Sequence, residues 1–298
     1  MKKILRILLV VLCATGLLQS CSVIRNPLKI KNYVEIETTE GNFVVGLYQG
    51  TPKHRDNFID RCTSQSYNST MLYKSVRKSE YSFGLRKGFE EGSVMQTDLV
   101  NDAVVPSEFN SKILPKRGTV AMKRLVDAQN PDKKSDASLF FIIDGGKKIT
   151  ANEIKIAVAL KNRDTYKIYI DKFLSHPENK SLKDSLDALR SMKTMKQYNE
   201  IYARVMEMVK PQIEKDGVEL FSVSEKNIEK YLETGGVPMF EGVYTVFGEI
   251  VVGMEMLEKF SKLETSLDYT PKKDVSIVST VVLKKKDFKK KYKHIGNE

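Results

Sequence analysis

The chain has 298 residues, with 49 Lys and Arg against 38 Asp and Glu, giving a net charge of +11. Three cysteines and three histidines are too few, and too scattered, for a disulfide-stapled scaffold or a paired metal motif. The length suits one large domain or two small ones.

Met1-Lys2-Lys3-Ile4-Leu5-Arg6 precedes an apolar run over residues 7–18, followed by Gln19-Ser20-Cys21. A basic stretch before a short apolar one predicts a secretory signal over residues 1–20, too short for a comfortable membrane span. Leu18-Gln19-Ser20-Cys21 resembles the lipobox of bacterial lipoproteins, which implies cleavage before Cys21 and lipidation of that residue. Several acyl chains on Cys21 would hold the chain on the membrane of the bacterial cell envelope. Ser22, rather than Asp, resembles outer-membrane sorting with the body facing the periplasm. An exported chain excludes nucleic acid as a partner. After processing Cys62 is the lone free thiol, expected as a small apolar core residue near the end of a helix.

Residues 21–31 form the lipidated terminus and a polar spacer containing Pro27. Alternating segments at 33–38 and 43–48, divided by Glu40-Gly41-Asn42, predict a β-hairpin. Thr51-Pro52 predicts a helix start with Thr51 as cap, and Phe58, Ile59 and Cys62 as its apolar stripe. Further strands are expected at 70–76, 119–122, 139–143, 244–250 and 275–283. So many short strands predict a mainly β barrel or sandwich.

Residues 147–234 break this rhythm and predict a helical insertion. Capping-box signals stand at Thr150…Glu153, Ser181…Asp184 and Ser222…Glu225. Leu182, Leu186, Leu189, Met195, Tyr198, Tyr202 and Val205 recur at helical spacing, which predicts a helix–helix seam, or alternatively a surface for client chains. His176-Pro177 should end the first helix and Pro211 the second, expected to run unbroken from 182 to 209. The closing stretch 284–298 is a lysine-rich tail, read as a solvated end or as a surface drawn to anionic headgroups.

With the insertion removed, residues 32–146 and 235–283 together resemble the cyclophilins. The resemblance rests on Thr51-Pro52-Lys53-His54-Arg55-Asp56-Asn57-Phe58, Lys116-Arg117-Gly118-Thr119-Val120-Ala121-Met122 and Ser138-Leu139-Phe140-Phe141-Ile142. It continues through Gly235-Gly236-Val237-Pro238 and Tyr244-Thr245-Val246-Phe247-Gly248-Glu249-Ile250. It implies a closed antiparallel β-barrel capped by two helices, here carrying a helical arm. The implied activity is peptidyl-prolyl cis-trans isomerisation, with proline-containing segments of exported proteins as partners and no cofactor or metal.

Isomerising an X–Pro bond means crossing an amide barrier of roughly 18–20 kcal/mol, without nucleophile or metal. An apolar cup holds the proline ring, and a donor favours the twisted amide. By the resemblance the donor is an arginine, whose position here is Lys74, or Ser75 after a one-residue slip. The family's glutamine falls at Gly84 or Arg86, and Leu139 replaces a second glutamine. Lys123 stands where a small residue usually lines the pocket. The cup is expected from Tyr81, Phe83, Met122, Leu139, Phe141, Met239, Phe240 and Tyr244. Arg86 or Arg124 are alternative donors. A lysine offers no guanidinium fork, so the expected activity is reduced, and binding without turnover is the alternative.

Overall fold

A computed structural model describes residues 26–88, 104–146, 148–192 and 194–293. The expected signal and Cys21 therefore lie outside the described residues. β1 (Ile30–Thr38) and β2 (Gly41–Tyr48) form the expected hairpin, and Gly41 at φ +135° meets the turn's need for a residue without a Cβ. The other strands are β3 (Thr70–Val76), β4 (Glu80–Arg86), β5 (Val104–Val105), β6 (Thr119–Met122), β7 (Ser135–Asp136), β8 (Phe140–Ile143), β9 (Val246–Val252) and β10 (Ile277–Lys284). β4 was not among the expected strands. Among the described residues the main sheet runs β10-β1-β2-β9-β6-β8-β4-β3, with β5 and β7 paired apart.

The expected closed barrel is corrected to an open one. β3 and β10, the sheet's outer strands, meet at one isolated bridge between Met71 and Ser276. Ser69 N donates to Ile277 O and Leu72 N to Val275 O, both at 2.8 Å, and no continuous ladder follows. Two register shifts twist β3 against β4, at Met71/Leu72 and Leu72/Lys74, while β10 spends its length on β1.

The helices are α1 (Pro52–Thr63), α2 (Ala151–Ser175), α3 (Lys180–Ser191), α4 (Met195–Lys215), α5 (Glu225–Thr234), α6 (Met256–Ser261) and α7 (Lys285–Lys291). The inner face of the sheet is covered by α1 and α6. Phe58 and Cys62 from α1 join Met256, Leu257 and Phe260 from α6 in one core with Phe43, Phe83, Phe140 and Phe247. Cys62 is buried as expected, and burial pushes its thiol up to about 12. Thr51 makes no side-chain cap on α1. Glu108 takes that role: its carboxylate accepts Lys53 N at 3.1 Å and His54 N at 3.0 Å. The His54 ring is buried between Glu108 Oε2, at 2.8 Å, and Ser135 Oγ, at 2.9 Å.

In the arm, the Thr150–Glu153 capping box forms in full. Ser181 lies inside α3, and Ser224 rather than Ser222 caps α5, accepting from Asn227 N. The expected long helix breaks after Ser191 into α3 and α4, and Pro211 sits within α4 instead of ending it. Leu182, Leu186, Tyr198, Tyr202 and Val205 do form a seam, shared with Ile170 and Ile213, whereas Met195 is exposed. At the arm's root Asn162 clamps Phe221, giving Nδ2 to its carbonyl at 2.9 Å and accepting its N–H at 2.8 Å. Below that clamp Ile154 and Tyr231 pack on Leu114 of the barrel. The lysine-rich tail is helical over α7, with Lys285, Lys286, Lys289 and Lys290 exposed to solvent.

Candidate active site

Four residues share a row across the outer face of the sheet. Lys74 of β3 pairs with Ser82 of β4, Ser82 with Phe141 of β8, and Phe141 with Ala121 of β6. Directly paired residues point to the same face, so Lys74 and Phe141 stand two strand spacings apart, roughly 10 Å at the backbone. Ser82 was not anticipated, since the family's glutamine was expected at Gly84 or Arg86 instead. Its hydroxyl is buried without a hydrogen-bond partner.

Phe141 is 0 % exposed. Phe240 meets it edge-on at 5.7 Å and Tyr244 at 4.9 Å, and these two rings meet each other at 5.1 Å. Tyr48, Ile113, Ala121, Ile143 and Val246 are buried in the same cluster. Lys123 Nζ lies over the Phe141 ring, 4.6 Å from its centre, and forms a buried ion pair with Glu80. The cup is thus filled by the chain's own side chains. Beside it a groove lined by Phe109, Ile113, Glu241, Tyr244 and Val246 stays open.

Several expected cup residues face elsewhere. Tyr81, Phe83 and Met122 are buried in the inner core, because strand alternation turns them away from Phe141 and toward α1 and α6. Leu139 is fully buried among Leu85, Tyr73 and Leu125, with no opening to a ligand. Met239 is half-buried beside Phe240 on the turn Pro238–Phe240, outside the ring cluster. Gly84 leaves no room for a glutamine, since a Cβ there would stand 2.4 Å from Ser138 O. Arg124 is consumed by the fold: Nη1 donates to Leu125 O at 2.8 Å, Nη2 pairs with Asp127 at 2.6 Å, and Nε holds Val243 O. Arg86 is exposed at the far end of β4, opposite Thr70. Phe141, Phe240, Tyr244 and Lys74 are the anticipated residues that the fold brings to one face, and Arg124 stands beside them with its guanidinium 5.7 Å from the centre of the Tyr244 ring.

The turn carrying Phe240 and Tyr244 is braced by the arm. Lys161 of α2 donates to Glu241 O, and Tyr231 Oη donates to Glu241 Oε2 at 3.1 Å. Burial pushes the Lys161 ammonium down to about 8, against the opposing pull of Glu241. Burial also raises the Glu241 carboxyl, although bonds from Tyr231 and Asn227 and the Lys161 charge work the other way.

The model of the family described as cyclophilin type peptidyl-prolyl cis-trans isomerase/CLD matches residues 33–158 and 221–282. The chain belongs to this cyclophilin-type family. The gap in the match, 159–220, begins and ends beside the Asn162–Phe221 clamp, so this cyclophilin-type domain carries its extra helices beyond that point. No curated protein matches the chain. Among solved structures, a cyclophilin-type peptidyl-prolyl cis-trans isomerase of Cryptosporidium parvum aligns at 13 % identity and a TM-score of 0.46, covering 85 % of this chain and 98 % of its own. The same protein in the presence of the dipeptide Ala-Pro aligns at 14 % identity and 0.45, covering 84 % and 98 %.

Proposed function

We propose that the chain is a lipid-anchored folding factor of the cell envelope, a slow peptidyl-prolyl isomerase acting on proline-containing segments of exported proteins. One observation carries the word slow: Phe141 is fully buried beneath Phe240, Tyr244 and Lys123. A proline ring reaches Phe141 only after those rings part, giving up edge-on contacts worth about 0.5–1.5 kcal/mol each. The segment is first held in the open groove beside Tyr244. The donor is Lys74, on the same face and in the same row as Phe141. An ammonium lacks the two-pronged geometry of a guanidinium. Losing a fixed donor altogether costs about a hundred- to a thousandfold in rate, and Lys74 recovers part of it.

A protease-free isomerisation assay on a prolyl peptide, run cold so that the uncatalysed rate is low, tests this reading. Wild type should exceed background, Lys74→Arg should be faster and Lys74→Ala slower. Equal rates for wild type and Lys74→Ala would remove Lys74 from the mechanism. Binding of the peptide with no rate above background favours a binding module, a reading that the filled cup supports equally. The anchor rests on the basic and apolar run before Cys21. Full-length protein carrying Cys21→Ala should leave the detergent phase or stay unprocessed; wild type found wholly in the aqueous phase would refute lipidation.

A further inference from the structure

The lysine-rich tail is docked onto the barrel. Phe288 of α7 stacks on Tyr33 of β1 with ring centres 3.8 Å apart and planes within 2°. Tyr292 Oη donates to Glu35 at 2.8 Å and Lys291 Nζ at 2.5 Å. Because Asn32 pairs with Lys284, α7 starts beside the beginning of β1. That register gathers the exposed Lys29, Lys31, Lys285, Lys286, Lys289 and Lys290 at one corner of the molecule. Across residues 29–35 and 284–293, nine lysines stand against two carboxylates, Glu35 and Asp287. Glu35 is already taken by Lys291 and Tyr292, so the corner is strongly positive.

We propose that this corner is a membrane-contact surface for a bilayer rich in anionic phospholipid. Each lysine near such a surface adds attraction, and that attraction fades within about 10 Å at moderate salt. Folding holds α7 in place, so its charges face outward together. Between α7 and the sheet an apolar cleft of Ile30, Tyr33, Val251 and Phe288 opens beside Lys289 and Lys293, a pairing of apolar and cationic groups suited to a lipid interface. One further support rests on the lipidation of Cys21 proposed above. Eight residues lie between Cys21 and Ile30, a span of at most about 30 Å when extended, so an anchored chain keeps this corner near the bilayer.

The test uses the chain from Ser22 to Glu298, which contains every element described and carries no lipid. It is sedimented with vesicles of phosphatidylcholine and of phosphatidylcholine mixed with phosphatidylglycerol. Binding to the anionic vesicles should be at least about tenfold tighter and should vanish in high salt. The combined variant Lys285→Gln, Lys286→Gln, Lys289→Gln and Lys290→Gln should lose that preference while melting as wild type does. No preference for anionic vesicles, or a preference that survives the four substitutions, overturns the proposal. An oligonucleotide bound as tightly as the vesicles would mark a general polyanion surface and overturn the lipid assignment. Because the probe lacks Cys21, the outcome is separate from whether the full chain is acylated.

Discussion

Phe140 and Phe141 are neighbours in β8 with opposite fates. Phe140 points inward, where it meets Phe58 edge-on at 5.2 Å and stacks on Phe83 at 5.4 Å, in a core closed by α1 and α6. Phe141 points outward, and its cover is two half-exposed rings on a turn and a buried ion pair. Both are fully buried, yet one is enclosed by the fold's framework and the other by a removable lid. Burial alone therefore does not separate core from site; the layer that does the covering separates them.

The largest expected effect breaks the inner side. Phe140→Ala should cost about 3–5 kcal/mol by chemical denaturation, because the packed core around it cannot collapse. Phe141→Ala should cost clearly less, since Phe240 and Tyr244 can move into the gap. Equal losses would erase the distinction between the two faces.

Next comes the ion pair of the outer side. Lys123→Ala should cost about 3–5 kcal/mol by leaving Glu80 buried and unpaired. Adding Glu80→Gln should restore much of that loss, as a double-mutant cycle would record. Smaller is Leu139→Gln, expected to lower stability by about 1–3 kcal/mol because its amide would enter an apolar pocket of Leu85, Tyr73 and Leu125. The cyclophilin resemblance alone suggests the opposite outcome, a gain in activity from a restored donor.

Glu108 links the two sides, capping α1 over the core while lining the groove. Burial pushes its carboxyl up, but bonds from the His54 ring and the amides of His54 and Lys53 outweigh this and hold it below its ordinary 4.5. A depressed carboxyl stabilises the fold above its ordinary value, and that contribution is lost as pH falls through the folded value. Glu108→Gln should therefore cost about 1 kcal/mol near neutrality and flatten the melting-temperature profile below pH 4.5. The smallest effect is expected far from both faces. Replacing residues 164–219 with a short Gly/Ser link should leave the barrel's amide protection unchanged, because Ile154 and Tyr231 still root the arm's base.

Period-two alternation made β1 and β2 legible, β3, β6, β8, β9 and β10 fell where short strands were expected, and Thr51-Pro52 marked the start of α1 to the residue though not its cap. β4 carries an alternation of its own, Tyr81, Phe83 and Leu85 against Glu80, Ser82, Gly84 and Arg86, and what hid it was the departure of this stretch from the family's motif, with a glycine at its centre. The site was legible in outline only. Sequence showed that Phe141, Phe240 and Tyr244 were candidates, but not that Tyr81, Phe83 and Met122 turn inward; that depends on the register of β4 and β6 against β8. Glu108 as cap and Lys123 as lid arise from contacts between distant segments, which no local pattern records.

The central claim is that the cup is filled from within, and Tyr244→Ala tests it most directly. Removing this half-exposed ring should leave the fold intact, uncover one face of Phe141 and raise kcat/KM for a prolyl peptide above wild type. The gain should disappear when Lys74→Ala is added. A folded Tyr244→Ala protein whose kcat/KM is equal to or below wild type would show that Tyr244 is part of a working cup rather than its cover, and would contradict the account.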